Sequence, residues 1–151
     1  MDIKCSEIKK INKLLILNSP NNPSGTVHKN LKDLAKVIKD NNIIVVADEI
    51  YAELDFSGKY KSLSHYCPEN TIISSGLSKW CGAGGWRLGY LVFPKNLSYI
   101  KDAIRNVASE TYTSVSAPIQ YAAIKAFTED HSIYLNNSRM ILRLISEYIY
   151  I

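Results

Sequence analysis

The sequence has 151 residues, of which 46% are hydrophobic, and this is enough apolar material for the core of one ordinary domain. Its 18 Lys and Arg against 14 Asp and Glu give a formal charge of +4, but the basic residues are scattered and form no run typical of nucleic-acid-binding proteins. The sequence contains neither the apolar core of a signal peptide nor the roughly 20 apolar residues of a membrane-spanning helix, so we expect no nucleic-acid or membrane partner.

The cysteines and histidines do not indicate a metal site. Cys5, Cys67 and Cys81 form no Cys-x-x-Cys pair, and the three histidines are dispersed along the chain. An odd number of cysteines favours free thiols in a reducing compartment over a disulfide framework. We therefore expect a cytoplasmic protein without a structural metal.

Apolar runs alternate with turn residues over the first part of the chain. The run 13–18 is continuous and ends in Ser-Pro-Asn-Asn-Pro-Ser-Gly, which predicts a fully buried strand entering a fixed turn. Apolar residues recur at helical spacing over 29–41, which predicts a surface helix packed on a sheet. Further strands are predicted over 43–47, 71–75 and 88–93. The order of strand, helix and strand indicates an α/β fold with mostly parallel pairing.

The remainder of the chain is predicted to be helical, over 96–109, 118–128 and 132–151. The second of these helices has a proline in its first turn and one apolar stripe, formed by Ile119, Ala122, Ala123, Ala126 and Phe127. The last helix is still apolar at its final residues and has no glycine cap, which indicates an interrupted element.

Polar side chains that follow the predicted strands are candidates for a ligand site. Asn22, Asp48 and Lys79 each come after a strand, and Tyr51 follows Asp48 closely. In an open parallel sheet, ligands bind beyond the carboxyl ends of the strands. A lysine at the end of a buried strand can act as a desolvated nucleophilic amine, and Arg87, eight residues later, can bind a phosphate. The pair suggests a covalently held, phosphorylated aldehyde cofactor.

Three motifs together resemble those of a known family. The sequences Asn-Pro-Ser-Gly, Asp-Glu-Ile-Tyr, and Ser-Lys followed by Arg-Leu-Gly resemble the class I and II aminotransferases, which are fold-type I enzymes related to aspartate aminotransferase. The resemblance extends from about Leu14 to about Phe127. It implies a three-layer α/β/α large domain, pyridoxal 5'-phosphate as the cofactor, amino acid and 2-oxo acid substrates, and a homodimer.

The resemblance implies a role for each matching residue. Lys79 would form the covalent link to the cofactor and then carry a proton between the substrate α-carbon and the cofactor. Asp48 would pair with the pyridine nitrogen, and Tyr51 and Asn22 would donate hydrogen bonds to the phenolic oxygen. Arg87 would bind the phosphate through a bidentate contact.

One position departs from the family pattern, because a serine that donates to the phosphate often stands three residues before the lysine. This chain has Gly76 there. Ser75 or Ser78 is expected to substitute, and Ser78 is included among the candidate cofactor-binding residues.

The resemblance covers only part of such an enzyme. The family's phosphate-binding loop and stacking aromatic ring precede the matched region, and the arginine that binds the substrate carboxylate lies in a C-terminal small domain. We therefore expect 1–130 to be part of the cofactor-binding large domain. The segment 131–151 is expected to begin the long helix leading to a small domain that is absent here.

Other interpretations remain open. Taken singly, Asp48 can be a helix cap, Asn22 a turn residue and Tyr51 a packing residue. Lys79 can be a solvated surface residue, and Arg87 can simply pair with a carboxylate. The glycines at 82, 84 and 85 match a dinucleotide fingerprint poorly. A lyase of the same fold would use the same lysine and aspartate. A third hypothesis is an inactive relative or a remnant that serves only in interactions.

Overall fold

The protein is described by a computed structural model that covers residues 5–8 and 13–149. Its sheet contains β1 (Leu14–Asn18), β2 (Ile44–Asp48), β3 (Thr71–Gly76) and β4 (Gly89–Val92), in that spatial order. The first three strands are parallel, and β4 pairs antiparallel with β3. The predicted α/β fold with a mostly parallel sheet is confirmed.

The described helices are α1 (Leu31–Asp40), α2 (Ser98–Thr111), α3 (Ala117–Thr128) and α4 (Ser132–Ile149), with short 3-10 turns between the larger elements. The four predicted helices are confirmed, and their ends differ from the predicted ones by at most two residues. The last two residues of the predicted final helix lie outside the described residues.

One face of the sheet is covered by α1. Leu34 and Ile38 of this helix are fully buried, as is Val45 of β2, and Leu17 of β1 joins the same cluster. Side chains alternate between the two faces of a strand, so the register that pairs Leu17 with Ala47 places Leu17, Val45 and Ala47 on the same face. The apolar stripe of α1 is therefore buried against this face.

The opposite face of the sheet is more open. Leu14 is 56% exposed and Ile16 is 67% exposed, so the prediction that β1 is buried on both faces is wrong. The physical reason is that α1 covers only the face carrying Leu17. The register that pairs Asn18 with Asp48, and Asp48 with Ser74, places a row of polar side chains on the same open face as Ile16.

A second cluster anchors the segment between β3 and β4. Leu77, Trp80, Ala83 and Leu88 pack with Ala123 of α3. Ile119 and Ala126 also pack against this cluster, which confirms most of the predicted stripe. Phe127 is 54% exposed, although its ring lies 6.1 Å from that of Trp80 and 5.5 Å from that of Tyr90, centroid to centroid.

Within residues 5–8 and 13–149, no helix is long and apolar enough to cross a membrane. The same residues contain no group of three or more His, Cys, Asp or Glu side chains that could hold a metal ion. The three cysteines carry free thiols.

Candidate functional site

The turn after β1 is held by the side chains of Asn18 and Tyr60. The Oδ1 atom of Asn18 accepts hydrogen bonds from the main-chain N–H of Asn22 at 2.9 Å and from Nδ2 of Asn21 at 3.1 Å. The hydroxyl of Tyr60 donates to the carbonyl of Ser19 at 2.8 Å. These contacts fix the turn so that the Asn22 amide extends toward Tyr51, to whose hydroxyl it donates at 3.3 Å.

Asp48 ends β2 and is half-buried. Nδ2 of Asn18 donates to its Oδ2 atom at 3.2 Å, and the main-chain N–H of Ile50 donates to its Oδ1 atom at 3.4 Å. Both carboxylate oxygens therefore have a donor, which orients the carboxylate on the open face of the sheet.

Lys79 lies in the turn that follows β3, with its ammonium 5.3 Å from the centroid of the Tyr51 ring. This distance is within the range of a cation–π contact. The side chain is exposed, so the expectation of a desolvated amine is wrong for this chain. The reason is that Lys79 extends from a surface turn, with the Tyr51 ring beside it.

Arg87 ends the loop that begins after β3. Hydrogen bonding from the N–H of Leu77 to the carbonyl of Leu88, at 3.1 Å, closes this loop. Arg87 has a left-handed backbone with φ 56° and donates from Nη1 to the carbonyl of Gly84 at 2.7 Å. Ser78 is half-buried in the same loop, directly before Lys79.

Arg87 also lines a cleft of 960 Å³ between β4 and α2. The cleft contains two further cations, Lys101 and Arg105, and the hydroxyls of Ser74 and Ser75. None of the described residues lining it is acidic. The electrostatic environment around Arg87 therefore favours an anionic group.

The structure explains why residue 76 is a glycine rather than the serine that the resemblance leads one to expect. A Cβ atom there would lie 2.6 Å from the carbonyl oxygen of Leu88 and 3.1 Å from the Cα atom of Gly89. Both are backbone atoms, one in the residue just before β4 and one in its first residue, so no side chain fits without moving the start of β4. A serine at this position is excluded by packing, and Ser75 and Ser78 are the nearby hydroxyls.

Glu49 is a buried residue that sequence reasoning missed. Its side chain is 7% exposed, and its Oε1 atom accepts a hydrogen bond from the hydroxyl of Ser62 at 2.7 Å. Burial raises the pKa of the Glu49 carboxyl, and the bond from Ser62 opposes this increase. Its main-chain N–H donates to the carbonyl of Ser74 at 2.9 Å, which ties the segment after Asp48 to β3.

The structure thus connects four predicted site residues through side-chain contacts: Lys79 lies against Tyr51, Tyr51 bonds Asn22, and Asn18 joins Asn22 to Asp48. Ser78 and Arg87 lie on the loop that carries or follows Lys79. Asn18 was missed because the predicted strand over 13–18 includes it, whereas Asp48 follows the predicted strand over 43–47. Its position opposite Asp48 is set by the register of two neighbouring strands, which the sequence alone does not display.

Comparisons with known proteins identify the family of this chain. The family model for aminotransferase class I and II matches residues 2–150. The chain is 36% identical over 122 residues to the aspartate/prephenate aminotransferase of Thermus thermophilus, covering 80% of this chain and 31% of that protein. It is 38% identical over 122 residues to the aspartate aminotransferase of Geobacillus stearothermophilus, covering 77% of this chain and 30% of that protein.

This chain is also similar to a solved aminotransferase structure. The alanine aminotransferase from Pyrococcus furiosus superimposes with a TM-score of 0.84 and 32% identity over 96% of this chain and 38% of that one. The chain therefore spans about a third of the length of the curated relatives it matches. On the family match over 2–150 and these similarities, the chain belongs to the class I and II aminotransferase family.

Proposed function

We propose that the chain supplies the lysine-bearing part of the cofactor site in an aminotransferase, which uses pyridoxal 5'-phosphate to move an amino group from an amino acid to a 2-oxo acid. The main support is the chain of contacts from Lys79 through Tyr51 and Asn22 to Asn18 and Asp48. The names of the relatives favour amino-group transfer over the lyase hypothesis.

The side chains present are chemically suited to this cofactor. Tyr51 accepts a hydrogen bond from Asn22, which leaves its own hydroxyl hydrogen available for a phenolic oxygen. Asp48 offers a carboxylate to a protonated ring nitrogen, and Lys79 offers a primary amine to an aldehyde. Arg87, in its cationic surroundings, offers a planar guanidinium to a phosphate. Each polar group of the cofactor thus has a matching side chain.

Each residue then has a defined task. When bound, the cofactor supplies an electron-withdrawing ring that stabilises negative charge at the substrate α-carbon. Asp48, oriented by Asn18 and Ile50, would hold a proton on the ring nitrogen. Tyr51 and Asn22 would donate hydrogen bonds to the phenolic oxygen and so stabilise its negative charge. Lys79 would carry the proton that leaves and returns to the α-carbon.

The proposal extends to the organisation of the protein. We assign 1–130 to the cofactor-binding large domain and 131–151 to a helix leading toward a small domain, a role that suits the exposed apolar residues Ile133 and Ile145 of α4. A homodimer is proposed by analogy with the family. A cytoplasmic location is proposed because the three thiols are free.

Absorption spectroscopy tests the cofactor proposal directly. We expect a weak yellow band when the purified chain is mixed with pyridoxal 5'-phosphate, since the chain spans about a third of its relatives' length. Lys79→Ala should abolish the band. Lys32→Ala, which removes an exposed lysine of α1, should preserve it. A band of equal strength in Lys79→Ala would refute the proposal, and the absence of any band dependent on Lys79 would favour a non-catalytic relative.

A further inference from the structure

We propose that Asn18 is a positioning residue that holds the Asp48 carboxylate and the Asn22 main chain in a fixed relation to each other. Its Nδ2 atom donates to Oδ2 of Asp48 at 3.2 Å, while its Oδ1 atom accepts from the N–H of Asn22 at 2.9 Å. The significance of this link for catalysis rests on the proposed function, whereas the link itself can be tested without the cofactor.

The fold places Asn18 where it can make both contacts. It pairs with Asp48 in the parallel register of β1 and β2, so both side chains leave the same face at the carboxyl ends of adjacent strands. A further bond, from Nδ2 of Asn18 to the main-chain carbonyl of Asp48 at 3.4 Å, holds the two strand ends together. The side chain of Asn18 is half-buried, which limits competition from water.

The chemistry of the side chain explains why an amide stands at this position. An amide offers a donor and an acceptor at once, so it can bond a carboxylate on one side and an N–H group on the other. An aspartate would keep the acceptor but would place a second negative charge beside Asp48. A leucine, similar in size, would offer neither group.

The link has a consequence for the bound ring. In the proposed site, Asp48 would bind the ring nitrogen and the Asn22 side chain would bind the phenolic oxygen. These two atoms belong to one rigid ring, so the ring is bound well only if both protein groups keep their relative positions. Asn18 is the side chain that joins the two groups directly.

Two variants of Asn18 separate its two contacts, and a neighbouring residue provides the control. Asn18→Asp retains the acceptor for Asn22 and loses the donor to Asp48, whereas Asn18→Leu loses both. Ser24→Ala disturbs the same turn, because the Ser24 hydroxyl bonds Asn21 and Thr26. It leaves the hydrogen bonds of Asn18 with Asp48, Asn21 and Asn22 in place. Circular dichroism at pH 8 would establish that each variant is folded.

The first measurement is the rate at which the main-chain N–H hydrogen of Asn22 exchanges with water. It is read by NMR on the chain without cofactor and compared with the exchange rates of the main-chain N–H groups of β2. Because an average hydrogen bond contributes about 0.5–1.5 kcal/mol, we expect Asn18→Leu to accelerate this exchange by up to about tenfold. Asn18→Asp should restore protection close to that of the unmodified chain. The β2 amides should not change in either variant.

The second measurement is the dissociation constant for pyridoxal 5'-phosphate, obtained by equilibrium dialysis. Here both Asn18 variants should bind at least about tenfold more weakly, because a hydrogen bond to a charged group is worth about 1.5–3 kcal/mol. Ser24→Ala should stay within about threefold of the unmodified chain. In Asn18→Asp, we expect the main-chain N–H of Asn22 to be protected again while the affinity for pyridoxal 5'-phosphate stays low. A general loss of stability would not produce this combination.

The inference about Asn18 and the proposed function would be contradicted by different outcomes. Unchanged exchange at Asn22 in Asn18→Leu would overturn the inference, whatever the cofactor does. Equal acceleration at Asn22 and in β2 would also overturn it, since that result would indicate a general structural role. If the unmodified chain bound no cofactor, the proposed function would fail, and the exchange rates would still decide whether Asn18 holds Asn22.

Discussion

At the scale of single residues, Tyr51 is central because its ring and its hydroxyl contact different partners. The ring lies beneath the ammonium of Lys79, with 5.3 Å between the nitrogen and the ring centroid, while the hydroxyl accepts the amide hydrogen of Asn22 at 3.3 Å. The two contacts can be separated by mutation, since phenylalanine preserves the ring and removes the hydroxyl.

Tyr51→Phe is therefore expected to weaken the binding of pyridoxal 5'-phosphate by about tenfold without unfolding the chain, because it removes one hydrogen bond to a negatively charged oxygen. Tyr121→Phe is the matched control, since Tyr121 lies on α3 and is 73% exposed. Equilibrium dialysis measures both affinities. Equal affinities for the two variants would contradict the role assigned to the Tyr51 hydroxyl.

The raised pKa of the Glu49 carboxyl predicts that the stability of the chain depends on pH. Burial raises the pKa of its carboxyl in the folded state above the ordinary value of 4.5, so the folded chain binds a proton more tightly than the unfolded chain does. The contribution of Glu49 to the free energy of unfolding is then fully present below pH 4.5 and is lost as the pH rises through the higher folded-state pKa.

Glu49→Gln should remove this component, since glutamine does not titrate and its side-chain oxygen can still accept from Ser62. Urea unfolding at a series of pH values checks the expectation. The variant should lose less stability than the unmodified chain between pH 4.5 and neutral pH. Parallel curves for the two proteins would show that Glu49 does not titrate differently on folding.

At the scale of secondary-structure elements, the junction of β3 and β4 positions the loop that carries Lys79. Gly76 pairs with Gly89 at this junction, and the space beside Gly76 is filled by the backbone at Leu88. Gly76→Ala should lower the free energy of unfolding by about 1–3 kcal/mol, because β4 must move to admit a methyl group.

Gly85 provides the comparison for this prediction. A Cβ atom at Gly85 would meet no heavy atom within 4 Å, so Gly85→Ala should change stability by no more than about 0.5 kcal/mol. Urea denaturation of both variants measures the difference. Equal stabilities would mean that β4 moves without cost.

The elements themselves could largely be predicted from sequence. The strands ending at Asn18 and Asp48 were found because short apolar runs are closed by turn residues, and α1 was found from its helical periodicity. The antiparallel direction of β4 could not be derived from its apolar run. The exposure of Ile16 could not be derived either, because an apolar run does not show which faces of a strand are covered.

The site was predictable only in part, for a related reason. Asn22, Asp48, Tyr51 and Lys79 stand in motifs that can be recognised along the chain. Asn18 acts through the pairing of two strands separated by 30 residues in sequence, and that register is a property of the folded sheet. The burial of Glu49 likewise depends on the segment containing Ser62, which folds back over it.

At the scale of the whole molecule, apolar side chains remain exposed on the sheet and the helices. Leu14 and Ile16 of β1, together with Ile133 and Tyr148 of α4, are each at least 56% exposed in a chain that spans about a third of its relatives' length. Exposed apolar patches promote association. We therefore expect the isolated chain to self-associate as its concentration rises.

Sedimentation velocity tests this expectation. Ile16→Lys should reduce self-association, because it places a charge on the open face of the sheet. Lys32→Gln, a change on the exposed side of α1, should leave it unaltered. A chain that stays monomeric at every concentration would show that the open face does not associate.

Chemical trapping of the cofactor at one lysine tests the assignment of Lys79 most directly. The chain would be mixed with a limiting amount of pyridoxal 5'-phosphate, reduced with borohydride and digested, and the labelled peptides would be identified by mass spectrometry. We predict that the label is concentrated on Lys79, and that Asp48→Ala reduces labelling there without affecting Lys32. A label spread evenly over the exposed lysines would contradict the assignment of Lys79 as the cofactor-binding amine.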